Sequence, residues 1–142
     1  MFIYPFLTFL WSSFILVAIC TFDAYAFLYN QVVGFTFQTN PNFSELFITN
    51  DIKLTEKFYV IQKTGHMICF AILYVLHLLW VRKYGVAFVL TVIFAAFTEI
   101  LQLYFYRNGR LVDVAIDLVG ISFAYLICIY VLNNNKWLIK MR

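Results

Sequence analysis

Glu99 and Gln102 stand three residues apart, Arg107 follows, and Asp113, Asp117 and Gly120 continue at spacings of four and three. The flanking stretches, 85–98 and 118–132, carry no charged residue. A carboxylate within a membrane-spanning helix costs about 2.5–3.5 kcal/mol on insertion scales. Three of them bunched with arginines at the junction of two apolar segments therefore read as a working site. Helical positions three or four apart share a face, so Glu99 and Gln102 form one pair. Asp113, Asp117, Gly120 and Ala124 form a second stripe, with small residues at its deeper end where a neighbouring helix can come close. Lys63 and His66 form a third pair, at the start of an earlier apolar segment.

Several chemistries fit these residues. Lys63, Arg107 and Arg110 suit an anionic head group, phosphate or carboxylate, and Arg107 can make paired hydrogen bonds to it. Glu99, Gln102 and Asp113 would orient these bases. Glu99 and His66 are also candidate acid and base groups for an intramembrane enzyme acting on a lipid or cell-wall intermediate. Glu99, Asp113, Asp117 and His66 could surround a divalent ion, but no standard ligand spacing is present, so the sequence predicts neither a metal nor a cofactor. No activated Ser or Cys nucleophile is apparent. A structural role is also available: Arg107 or Arg110 pairing with Asp113, and Glu99 with Lys63 or His66, would pin helix ends together. A transporter is disfavoured, because His77 is the sole deep ionisable group. It has no evident partner and reads as structural.

The elements that must carry these residues are helices. The 142-residue chain is 64% hydrophobic and 12% charged, about half the charge of a water-soluble domain. Four continuous apolar segments, about 4–22, 64–81, 85–106 and 113–132, each approach the length needed to cross a hydrocarbon core about 30 Å thick. Only helices or closed barrels cross it, and the runs do not alternate as barrel strands do. The reading is an all-α membrane protein: one domain, 1–142, folded as an antiparallel four-helix bundle. The first segment lacks a basic flank and is long for a signal peptide, although Ala24-Tyr25-Ala26 has the form of a cleavage site. In an antiparallel bundle Lys63, His66, Glu99, Gln102, Arg107, Asp113 and Asp117 should converge at one depth.

A long connection, about 29–56, joins the first two segments. Thr39-Asn40-Pro41-Asn42 and Thr49-Asn50-Asp51 are turn-forming clusters. Phe43, Leu46 and Phe47 have helical spacing, which predicts a short helical turn on the membrane surface or over the bundle, with an unstructured polar loop as the alternative. The next helix should begin early, near Leu54 or Thr55. Arg107-Asn108-Gly109-Arg110 predicts a tight link between the last two segments. Tyr104, Tyr106, Trp80, Tyr84 and Trp137 lie near segment ends, as in an aromatic belt. Cys20, Cys69 and Cys128 fit no disulfide or metal pattern.

Basic residues divide five against five between the two membrane sides, with Arg82, Lys83, Lys136, Lys140 and Arg142 on one and Lys53, Lys57, Lys63, Arg107 and Arg110 on the other. All seven acids lie on the second side, where they partner its bases, and two of those bases lie in the long loop, where the positive-inside rule is weaker. Both termini are therefore predicted in the cytoplasm, with the polar cluster near the outer surface. No basic patch suggests nucleic acid.

The cluster resembles the VanZ-like family of small bacterial membrane proteins. Lys63 and His66, Thr98-Glu99-Ile100-Leu101-Gln102, Arg107, Asp113 and Gly120 match its pattern in order and spacing over about 63–124. Asp117 replaces the family's asparagine, Gln62 its aspartate, and Ala124 stands where a second glycine is usual. The resemblance implies a bacterial plasma-membrane location and a link to glycopeptide resistance of the teicoplanin type. It also implies membrane lipid, lipid-linked cell-wall precursor or lipoglycopeptide as partner, with the seven converging residues as the ligand site.

Overall fold

The computed structural model describes residues 2–50 and 52–134, which places Asp51, Lys136, Trp137, Lys140 and Arg142 outside the described residues. The described residues form five α-helices, α1 Ile3–Cys20, α2 Ala24–Asn30, α3 Lys57–Val81, α4 Tyr84–Tyr104 and α5 Leu111–Asn134, with a 3-10 helix at Phe43–Phe47. No strand occurs among the described residues. Ile3–Cys20, Lys57–Val81, Tyr84–Tyr104 and Leu111–Leu132 are each long and apolar enough to cross a membrane.

The centre of the bundle is α3, which packs most extensively on α5 and also on α4 and α1. Phe70, Leu73, Tyr74 and Leu78 are its buried face, met by Ile15 and Ile19 of α1 and Ile121 and Ala124 of α5. The side of α4 turned inward is built from small residues: Ala87, Thr91, Ala95 and Thr98 are all fully buried. The two threonine hydroxyls donate to the carbonyls of Ala87 and Ala95, each at 2.7 Å. Small residues with their polar atoms satisfied within their own helix let backbones approach in a medium where apolar burial alone gives no drive between helices. Large apolar side chains such as Phe9, Ile93 and Phe123 point outward. At one further point α1 is tied to α3, where the Trp11 indole N–H donates to the Cys69 carbonyl at 2.9 Å.

The expected first segment, 4–22, is interrupted before its end: α1 stops at Cys20, and Asp23 opens the two-turn α2 by accepting the Ala26 N–H at 2.9 Å. The aspartate that reads as the end of a span is thus the N-cap of another helix. Gln31, left-handed at φ 56°, closes α2. The following chain folds back over the α4 end of the bundle. Gln38 donates from its backbone N–H to the Tyr104 carbonyl at 2.8 Å, and from its side chain to the Leu103 carbonyl. Phe37 stacks on Tyr104, and Phe35 meets Phe105 edge-on. The helical turn expected around Phe43, Leu46 and Phe47 is the 3-10 helix, capped by Asn42 and lying against α4 and α5. The next helix starts at Lys57, two to three residues later than the sequence suggests.

His77, for which the sequence shows no evident partner, has one in the fold. Its Nδ1 lies 2.9 Å from the Thr91 hydroxyl. That hydroxyl has one proton, and it is used on Ala87, so the imidazole donates and the pair is complete.

Candidate functional site

The site forms where α4 turns into α5, beside the first turns of α3. α4 ends in a Schellman arrangement: Tyr106 is left-handed at φ 54° and the Arg107 N–H reaches back to the Gln102 carbonyl at 3.0 Å. The Asn108-Gly109 pair is therefore not where the backbone needs a positive φ. Gly109 is required for another reason. A Cβ there would collide with the Glu99 carbonyl oxygen and lie 2.9 Å from its carbon. The turn thus presses onto α4 at Glu99 itself.

Glu99 is fully buried, and both its oxygens accept hydrogen bonds, one of them from that turn. Oε2 accepts the Arg110 backbone N–H at 2.9 Å, and Oε1 accepts the Gln102 side chain at 3.0 Å. Asp113, in the first turn of α5, forms an ion pair with Lys63 of α3 at 2.5 Å, with both side chains largely buried. Lys63 also sits 5.2 Å over the Tyr59 ring. One α5 turn deeper, Asp117 is fully buried and neither carboxylate oxygen has a hydrogen-bond partner. His66 Nδ1, also without one, lies 4.0 Å from Asp117 Oδ1. Gly120 completes the stripe, sitting directly against the Met67 backbone.

The pairing differs from the sequence expectation. Asp113 takes Lys63 rather than an arginine, and Glu99 takes Gln102 and a backbone N–H rather than Lys63 or His66. Arg107 instead donates to the Thr21 carbonyl at 2.6 Å, bridging to the elbow between α1 and α2. Burial depresses the proton affinity of its guanidinium, and the carboxylates of Glu99, Asp23 and Asp113 act against that. Thr21 and Gln38 carry no sequence signal for their roles, because each is read through a carbonyl or an amide far away in the chain.

Two cavities meet here. The first, about 450 Å³, is polar; Lys63, His66, Gln102, Arg107, Arg110 and Asp113 are part of its wall. Among the described residues its wall carries four bases (Lys53, Lys63, Arg107 and Arg110) and two acids, with Glu56 paired to Lys53 and Asp113 to Lys63. The second, about 130 Å³, is an apolar groove between α1, α2 and α3, flanked by Phe14, Ala18, Phe27, Leu28, Gly65 and Phe70. Gln62, His66 and Arg107 belong to both walls.

The arrangement defines a four-span helical membrane protein with a mixed-charge nest at one end, open to a polar cavity and an apolar groove. The profile of the VanZ/LLP1 family matches residues 2–133, and the chain belongs to that family. It is 40% identical over 128 residues to the uncharacterized membrane protein YwnJ of Bacillus subtilis (strain 168), covering 89% of each chain. No solved structure matches it.

Proposed function

We propose that this protein binds an amphiphile with an anionic head group: a membrane lipid, a lipid-linked cell-wall precursor or a lipoglycopeptide. The supporting observation is the junction of the two cavities at Gln62, His66 and Arg107. A basic polar chamber joined to an apolar groove matches a molecule that is charged at one end and hydrocarbon at the other. Arg107 stands at the joint, where its planar fork suits phosphate or carboxylate. Lys63, His66, Gln102 and Asp113 shape the head-group chamber, and Glu99 holds the turn that positions Arg107. In this reading the chamber faces the outer side of a bacterial plasma membrane, where glycopeptides of the teicoplanin type meet lipid-linked precursor. Binding there would alter access of drug or precursor to its target.

The test is binding of a fluorescent phosphatidylglycerol to purified protein in detergent micelles, with teicoplanin survival of expressing cells as a second measurement. Arg107→Gln should weaken lipid binding at least tenfold and remove any survival advantage, while the variant still inserts and purifies normally. Wild-type binding by that variant would reject the reading.

A further inference from the structure

Asp117 poses a problem that the amphiphile reading leaves untouched. Its side chain is fully buried and neither oxygen accepts a hydrogen bond. A buried carboxylate without a partner is expensive, whether charged or protonated, because the acid form also needs an acceptor for its proton. Close by is the equally unpartnered Nδ1 of His66, at 4.0 Å, too far for a hydrogen bond. One ligand atom each from His66, Glu99 and Asp117 lies within 4.8 Å of the other two.

From this cluster we infer that His66, Glu99 and Asp117, contributed by α3, α4 and α5, form a binding site for a first-row divalent metal ion. One imidazole and two carboxylates are a donor set for Zn²⁺ or Mn²⁺. Two carboxylates balance the charge of the ion, which removes the penalty of burying them. Ligands around a tetrahedral zinc with ~2 Å bonds stand ~3.3 Å apart, so from separations of up to 4.8 Å the side chains close in by at most roughly 1.5 Å on binding. Glu99 is suited to this. Its oxygens are oriented by Gln102 and by the Arg110 N–H, and each keeps a lone pair for the metal, as outer hydrogen bonds commonly orient metal ligands. His66 also lines the polar cavity, so water or an anionic oxygen from that side can complete the coordination. Asp113 is held by Lys63 and stands outside the set.

The full-length protein, purified in detergent and stripped with a chelator, is dialysed against Zn²⁺ or Mn²⁺ without added lipid, and bound metal is counted by mass spectrometry. Wild type should retain one equivalent. Asp117→Asn and Glu99→Gln, both near-isosteric, should each lose about 100-fold or more in affinity, at or beyond the upper end for loss of an outer-shell partner. His77→Gln, in the other half of the bundle, should bind like wild type. Added Zn²⁺ should raise the thermal midpoint of wild type and leave that of Asp117→Asn unchanged. No stoichiometric ion on wild type, or wild-type affinity in both Asp117→Asn and Glu99→Gln, overturns the inference. If Asp117→Asn fails to purify as a monodisperse helical protein, Glu99→Gln decides. Lipid binding lost in Arg107→Gln with metal retained, or the reverse, separates this site from the amphiphile reading.

Discussion

Two glycines of the central helix pair should respond to the same substitution in opposite directions. A Cβ on Gly120 would lie 2.9 Å from the Met67 carbonyl carbon, 3.0 Å from its Cα, and closer still to its oxygen. Ordinary carbon–carbon contact is at about 3.5–4.0 Å, so α3 and α5 must part by roughly 0.5–1 Å. The obstructing atoms are backbone and cannot rotate away. Overpacking of this kind costs about 1–3 kcal/mol, and removing a helical glycine returns about 0.5–1 kcal/mol. The net expectation for Gly120→Ala is a loss of about 1–2 kcal/mol. Gly65, by contrast, faces the apolar groove, and a methyl group added there would meet nothing within 4 Å. Gly65→Ala should therefore gain about 0.5–1 kcal/mol. The glycine term is common to both, so the two variants should differ by the overpacking cost, about 1–3 kcal/mol, in SDS or thermal unfolding followed by circular dichroism in one detergent. If Gly120→Ala proves as stable as Gly65→Ala, the close approach of α3 and α5 is wrong, and with it the alignment of Lys63 with Asp113.

Lys63→Met leaves Asp113 as a buried, unpaired carboxylate and should destabilise the protein by about 3 kcal/mol, whereas Lys63→Met combined with Asp113→Leu should recover most of that loss; unfolding midpoints of the single and double variants check this. His77→Leu should cost only about 1 kcal/mol, since Thr91 keeps its bond to Ala87, and proton flux into proteoliposomes should be the same with and without the substitution. Flux that depends on His77 would reopen a transport role.

The membrane spans are legible in the sequence because an apolar run of sufficient length has few alternatives in lipid. The turn of helix at Phe43–Phe47 is legible from three apolar residues at helical spacing. The α2 helix is not, since Asp23 serves equally as the end of a span and the cap of a new helix, and only the fold distinguishes them. Partner choice is hidden for a related reason. Arg107 and Arg110 lie close to Asp113 in sequence, but the tight turn directs Arg107 to the Thr21 carbonyl, and Lys63 arrives from the helix alongside. The Asn-Gly pair reveals a tight turn without revealing why Gly109 is needed: the constraint is a backbone contact with Glu99, while the left-handed residue is Tyr106. Gln38, which closes two carbonyls at the end of α4, sits in a stretch with no periodicity to reveal it.

The apolar groove runs between α1, α2 and α3 beside the polar cavity, and on the proposed amphiphile reading this bears on how concentration is counted. On that reading a tail entering between α1 and α3 would come from the surrounding leaflet without passing through water. Its encounter with Arg107 is then a two-dimensional search. Occupancy would then follow the mole fraction of the amphiphile in the membrane, not its molarity in the medium. Dilution of the aqueous phase would leave occupancy unchanged, while dilution with an uncharged lipid would lower it.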